Sequence, residues 1–230
     1  MCNNTQITSW SFSRLSEWLN CPYKAKLKFV DKLKEPESPA FAHGSAVHKG
    51  IEQSIMNFVP KIPFQIATRA NEIIAEAAVA YKVGTGKVEE SWNFKKDWTE
   101  TTWNDWNGCF LRVKIDFFNK RNNVAEVVDW KTGKYREYTV DDYKMQLKLY
   151  ALATFMKYSD VDRVETKLVF VEGPGHVETM TFEREQLSEL KTYFDVKVSV
   201  MISDKVFEPK ASWKCKWCHW RKENGGSCKY

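Results

Sequence analysis

The sequence predicts an α/β fold: a central mixed β-sheet flanked by helices, with a cysteine-bearing segment at the C-terminal end. Three observations carry this. Apolar residues recur at helical spacing through residues 11–81, period-two alternation sets in after Gly84-Thr85-Gly86, and three of the six cysteines fall within residues 215–228.

Ser11 or Ser13 can cap a first helix that places Leu15, Trp18 and Leu19 on one face, and Pro22 suits the first turn of a second, so Cys21 falls at a helix junction. A loop at Glu35-Pro36-Glu37-Ser38-Pro39 precedes a helix over Ala40–Asn57 carrying His48, Ile51, Glu52 and Ile55, then one over Phe64–Tyr81. Strands follow at Val88–Phe94, Cys109–Asn119 and Val124–Trp130, the last two joined by a turn at residues 120–123. Thr139 or Asp141 opens a helix to Tyr158. Strands at Arg163–Val171 and His176–Phe182 and a helix over Glu185–Ile202 complete the series.

The 230 residues hold enough apolar and aromatic side chains for a folded domain. The polar start, Met1-Cys2-Asn3-Asn4-Thr5-Gln6, and the lack of a long apolar run argue against a signal peptide or membrane span, so a cytoplasmic location is expected. Net charge is +5, unevenly spread: residues 24–34 carry +4 and residues 205–230 carry +5, leaving −4 elsewhere. Basic ends fit a polyanionic partner or a solvated lysine face; charge alone does not choose.

Chemistry concentrates at Asp116 and at Asp129-Trp130-Lys131. On a strand Asp129 and Lys131 project together while Trp130 points the other way, and Asp116 can join them from the neighbouring strand. Two carboxylates and an ammonium are costly on an apolar sheet unless paired, solvated or neutralised by a cation. Phosphodiester hydrolysis uses such a set: Asp116 and Asp129 to hold Mg²⁺ or Mn²⁺, the carbonyl of Trp130 to complete the shell, and Lys131 to position or deprotonate the water and to stabilise developing charge. Glu52 and Glu90 can approach the same region.

Cys21, Cys215, Cys218 and Cys228 form a second constellation. In a cytoplasmic chain a Cys-x-x-Cys pair marks a metal or redox centre more often than a disulfide, and four thiolates suit either a [4Fe–4S] cluster or a structural zinc. Trp213, Trp217 and Trp220 crowd this segment and are expected to shield the centre, with stacking on unpaired bases as the other reading.

Taken in order, Ser11-x-Ser13-x-Leu15 leading to Cys21-Pro22, Gly44-x-x-x-His48, Asp116, Asp129-x-Lys131, Gln146-x-x-x-Tyr150 and the terminal cysteines resemble the RecB-type nucleases of the PD-(D/E)XK superfamily. Within it they look most like iron–sulfur members such as the AddB nuclease domain and the CRISPR-associated adaptation exonucleases. The resemblance implies a restriction-endonuclease-like core, His48 as a further metal ligand, Gln146 and Tyr150 beside the scissile phosphate, and iron–sulfur in preference to zinc. Two departures stand out: Trp130 replaces a smaller residue, and nine residues separate Cys218 from Cys228, making Cys228 the least secure ligand and His219 a substitute.

The reading is of one nuclease domain over 1–230, with 1–35 and 205–230 forming a cluster-binding module, 40–83 a helical segment and 86–183 the catalytic sheet and helix. It is expected to be a metal-dependent DNA exonuclease, acting on single strands or duplex ends by metal-activated water in recombination, repair or replication. The chain contains no Gly-x-x-x-x-Gly-Lys-Ser/Thr pattern, so a helicase or recombination protein is the expected partner for unwinding. The rival is an inactive nucleic-acid-binding scaffold with a structural zinc or iron–sulfur module.

Overall fold

A computed structural model of the chain describes residues 5–58 and 65–230. Cys2 and the expected helix start at Phe64 lie outside the described residues. The chain forms two compact units, Glu37–Lys191 and the pairing of Met1–Pro36 with Thr192–Tyr230.

The larger unit holds helices α3 (Pro39–Asn57), α4 (Thr68–Lys82) and α5 (Val140–Lys157), and strands β1 (Gly86–Phe94), β2 (Leu111–Arg121), β3 (Val124–Lys131), β4 (Arg163–Phe170) and β5 (Val177–Glu183). The strands form one sheet in the order β1-β2-β3-β4-β5. Only β3 and β4 pair in parallel, and α5 makes the crossover between them. The β2–β3 turn is tighter than the sequence suggests, because β2 continues to Arg121 and Asn122 takes the left-handed conformation at φ 52°. Cys109, expected to open this strand, lies before β2 instead: its N–H is bonded to the Asp105 carbonyl in the preceding loop.

Alternation along β3 sends its neighbours to opposite faces. Val128 and Trp130 join Val47, Ile51 and Ile55 of α3 and Ala70, Ile73, Ile74, Ala77 and Ala80 of α4 in one apolar cluster, completed by Phe117, Val169 and Val171. Asp129 faces α5, whose Gln146 and Tyr150 meet it. The sheet is thus covered on both faces, and the site lies where β2 and β3 begin to part.

In the smaller unit, Ser11 caps α1 (Phe12–Asn20) by accepting the Arg14 N–H at 3.3 Å. Cys21 ends that helix and precedes α2 (Pro22–Phe29), with Pro22 in the first turn, where a missing N–H costs nothing. The last helix, α6 (Leu187–Ser203), belongs to this unit from Thr192 on and contributes Phe194, which stacks on Trp10 at 5.6 Å. Lys24 and Lys28 each pair with both Glu17 and Glu35. These acids lie just outside the 24–34 stretch, so its exposed charge is smaller than the sequence count. Among the described residues no helix is long and apolar enough to cross a membrane.

Candidate active site

The site begins with α3. Ser38 caps it by accepting the Phe41 N–H at 3.2 Å, and His48 follows two turns later. Gly44 stands one turn before His48, where an added Cβ would meet Thr132 Oγ1 at 3.3 Å. The glycine lets the helix come close to the chain just beyond Lys131.

His48 Nδ1 lies 3.3 Å from Asp116 Oδ2, the oxygen that also accepts the Trp130 N–H at 2.8 Å. This bond ties the lone aspartate of β2 to the Asp-x-Lys strand. Burial opposes charge on His48, yet Asp116, with Asp129 further off, holds its pKa above the ordinary value. Lys131 Nζ stands 2.5 Å from Asp129 Oδ2. The other Asp129 oxygen, Oδ1, accepts from Gln146 Nε2 at 3.0 Å and from the Tyr150 hydroxyl, and Gln146 also donates to Tyr150 at 2.7 Å.

These bonds explain why a buried carboxylate is tolerated. Asp129 is 6% exposed, and burial together with Asp116 raises its pKa, against the pull of Lys131 and Tyr150. Burial and the Asp129 charge push the Tyr150 phenol well above its ordinary value, so it remains a donor.

Sequence reasoning missed Glu89. It stands opposite Asp116 in the β1–β2 register, between the pairs Val88–Phe117 and Glu90–Ile115, with φ 51°. A left-handed non-glycine residue within a strand is strained by ~1–3 kcal/mol, and such strain concentrates at functional sites. Ligand atoms of His48, Glu89 and Asp116 all lie within 4.8 Å of one another. Burial raises the Glu89 pKa, as do Asp116 and Glu52. One imidazole and two carboxylates suit a divalent cation of the Mn²⁺ or Mg²⁺ kind. Glu90 is turned elsewhere, its Oε2 accepting the Trp92 indole N–H at 3.1 Å, and Glu52 pairs with Lys49 at 2.6 Å. The Trp130 side chain lies in the core, on the face away from the site.

The sequence profile of the PD-(D/E)XK nuclease superfamily matches residues 9–222. The chain belongs to the PD-(D/E)XK nuclease superfamily. Among solved structures, it is similar to the Eubacterium rectale protein named "Putative exonuclease", with 14% identity and a TM-score of 0.55 over 100% of this chain and 92% of that one. It also aligns with the protein SSO0001 at 13% identity and a TM-score of 0.44, over 92% of this chain and 83% of the other. No curated protein matches significantly. The five-stranded mixed sheet with helices on both faces is consistent with the restriction-endonuclease-like architecture of the superfamily.

The smaller unit holds a cavity of about 220 Å³. Cys21, Cys215, Cys218 and Cys228 all line it, with Lys24, Lys210, Lys214 and Arg221. All four are free thiols, as is the buried Cys109. The long gap before Cys228 closes as a turn: Gly225 has φ 79°, a Cβ on Gly226 would fall 2.2 Å from the Trp220 carbonyl, and the Cys228 N–H returns to that carbonyl at 2.9 Å. His219 does not line the cavity; its ring meets Trp220 edge-on at 4.8 Å. The shielding expected of the tryptophans is not found. Trp213 and Trp217 are exposed, and no tryptophan lines the cavity.

Proposed function

We propose that this protein is a metal-dependent deoxyribonuclease of the exonuclease type, acting on single-stranded DNA or DNA ends in recombination, repair or replication. The observation that carries the reading is the meeting of His48, Glu89 and Asp116 next to the Asp129–Lys131 pair. In this reading His48, Glu89 and Asp116 hold Mg²⁺ or Mn²⁺, with Asp129 and the Trp130 carbonyl completing the set. A bound divalent ion supplies charge neutralisation at the phosphate and makes water acidic enough to attack near neutral pH.

Lys131 has two roles here. Its ammonium orients the attacking water and stabilises charge as it develops on the phosphate oxygens. Gln146 and Tyr150 act through Asp129: they engage Oδ1, fix the carboxylate orientation and leave Oδ2 towards Lys131. The name of the Eubacterium rectale neighbour agrees with the exonuclease reading.

The four thiols are proposed to hold a [4Fe–4S] cluster. Cys21, Cys215, Cys218 and Cys228 line one cavity, and the preference for iron–sulfur over zinc comes from the resemblance to the iron–sulfur nucleases. The Ser212 N–H points at Cys215 Sγ at 3.3 Å, and four cations, Lys24, Lys210, Lys214 and Arg221, line the cavity against one carboxylate, Glu17, with Lys24 and Arg221 also paired to acids. The cluster's role is structural, tying the two ends of the chain.

The test is incubation of end-labelled single- and double-stranded DNA with Mg²⁺ or Mn²⁺. Metal-dependent shortening from an end, stopped by chelator, is expected. Inactivity across metals and DNA forms overturns the reading.

A further inference from the structure

The loop joining β1 to β2 presents two tryptophans to solvent. Trp106 is 76% exposed and Trp103 38%, so neither is explained by core packing. The loop is nonetheless built to hold them. Asp105, between the two, accepts the Thr101 hydroxyl at 2.6 Å and the Gly108 N–H at 2.7 Å, while Phe110 and Thr101 hydrogen-bond back to the end of β1. Arg112 donates to the Trp103 carbonyl at 3.4 Å.

The cations of β2 cover these rings. The Arg112 guanidinium lies 5.4 Å from the Trp103 centroid and 5.7 Å from that of Trp106, and Lys114 Nζ lies 5.3 Å from Trp103. From Leu111 to Asp116 the strand alternates, with Leu111, Val113 and Ile115 buried and Arg112, Lys114 and Asp116 accessible. Successive accessible residues are ~7 Å apart along a strand. The patch therefore leads by two steps of one strand to Asp116.

We propose that Trp103, Trp106, Arg112 and Lys114 form a platform for an unpaired DNA strand next to the hydrolytic site, with bases stacked on the indoles and phosphates held by the two cations. Ring faces interleaved with positive charge are the recurring solution for single strands, because every base offers a π-face. Bases within a duplex are already stacked on one another. The platform thus selects single-stranded substrate, and this rests on the nuclease reading of the neighbouring site.

The experiment measures binding in the Lys131→Ala background, where cleavage does not consume the ligand, by fluorescence anisotropy of a labelled oligothymidylate, its fully abasic counterpart and a blunt duplex. The oligothymidylate should bind on the order of tenfold or more tighter than the abasic strand. Trp106→Ala should remove most of that difference, and Trp106→Phe should keep it. Equal affinity for base-bearing and abasic strands, tighter binding of the duplex, or no effect of Trp106→Ala overturns the proposal. Wild-type cleavage, assayed in parallel, separates the two failures: cleavage without base-dependent binding removes the platform alone, whereas absence of cleavage removes the nuclease reading whatever the binding shows.

Discussion

Gln146 donates a 3.0 Å hydrogen bond to Oδ1 of Asp129, the same oxygen that Tyr150 engages from one helical turn further along α5. One carboxylate oxygen is thereby assigned to the scaffold, and the other, Oδ2, faces Lys131. In the proposed function, this division of a single side chain positions the site.

Removing the Tyr150 hydroxyl tests the division. Tyr150→Phe keeps the buried ring and deletes one donor, and should cost about 1–2 kcal/mol of stability. DNA cleavage should fall by about 10–100-fold. Thermal melts and initial rates check both, and a variant as active as wild type contradicts a positioning role.

Asp129→Asn tests the burial of this carboxylate. Burial raises the folded-state pKa of Asp129, so near neutral pH its ionised form is favoured less in the folded chain than in the unfolded one. An amide keeps Oδ1 as the acceptor for Gln146 and Tyr150 but places an NH₂ where Oδ2 faced Lys131, so the burial cost and the ion pair are removed together. Metal-dependent cleavage should be lost, and the part of the metal-free protein's pH-dependent stability that Asp129 contributes in the carboxylate range should disappear. Melting curves against pH that match wild type contradict the burial argument.

The pH dependence follows from the same directions. His48, Glu89 and Asp129 are all held above their ordinary values, so the folded metal-free protein binds their protons more tightly than the unfolded chain does. Their contribution to stability is complete below the unfolded pKa values. It declines as pH rises through the carboxylate range and then, for His48, through its raised folded value above 6.5. Metal binding needs those protons removed. Stabilisation by Mn²⁺ should therefore grow from pH 5.5 to pH 8, and His48→Gln should flatten the histidine part. Melting curves with Mn²⁺ and with chelator measure it, and a shift independent of pH counts against these ligands.

Gly226→Ala addresses the thiol cavity. The added methyl collides with the Trp220 carbonyl, so the turn opens and Cys228 leaves the other three cysteines. Wild-type protein purified without oxygen should be brown, with iron and acid-labile sulfide in equal amounts, and the variant should lose most of both. Colourless wild-type protein with stoichiometric zinc refutes the cluster assignment.

Much of the larger unit is legible in the sequence because its elements obey simple periodicities. Asp116, Asp129 and Lys131 could be named from residue type and strand alternation, whereas His48, Gln146 and Tyr150 came from the family resemblance; the structure sets His48 against Asp116 and groups Lys131, Gln146 and Tyr150 around Asp129. Glu89 could not, since its place depends on the β1–β2 register and on a left-handed conformation that no residue type announces. The reach of the basic 24–34 stretch was overstated because Glu17 and Glu35, outside the window, pair with Lys24 and Lys28 and offset two of its charges. Trp103 and Trp106 appear in sequence as isolated aromatics in a polar loop; their link to Arg112 and Lys114 exists only once the loop folds back on β2. Gly225-Gly226 was the overlooked local signal that the long gap before Cys228 could close.

The group around Asp129 and Lys131 is proposed to perform metal-dependent hydrolysis of DNA. The most direct measurement compares wild type with Lys131→Ala for cleavage of end-labelled single-stranded DNA in Mn²⁺, with binding of the same oligonucleotide followed in parallel. Cleavage should fall by about 10²–10³-fold or more while the oligonucleotide is still bound. Undiminished Mn²⁺-dependent cleavage by Lys131→Ala would contradict the account.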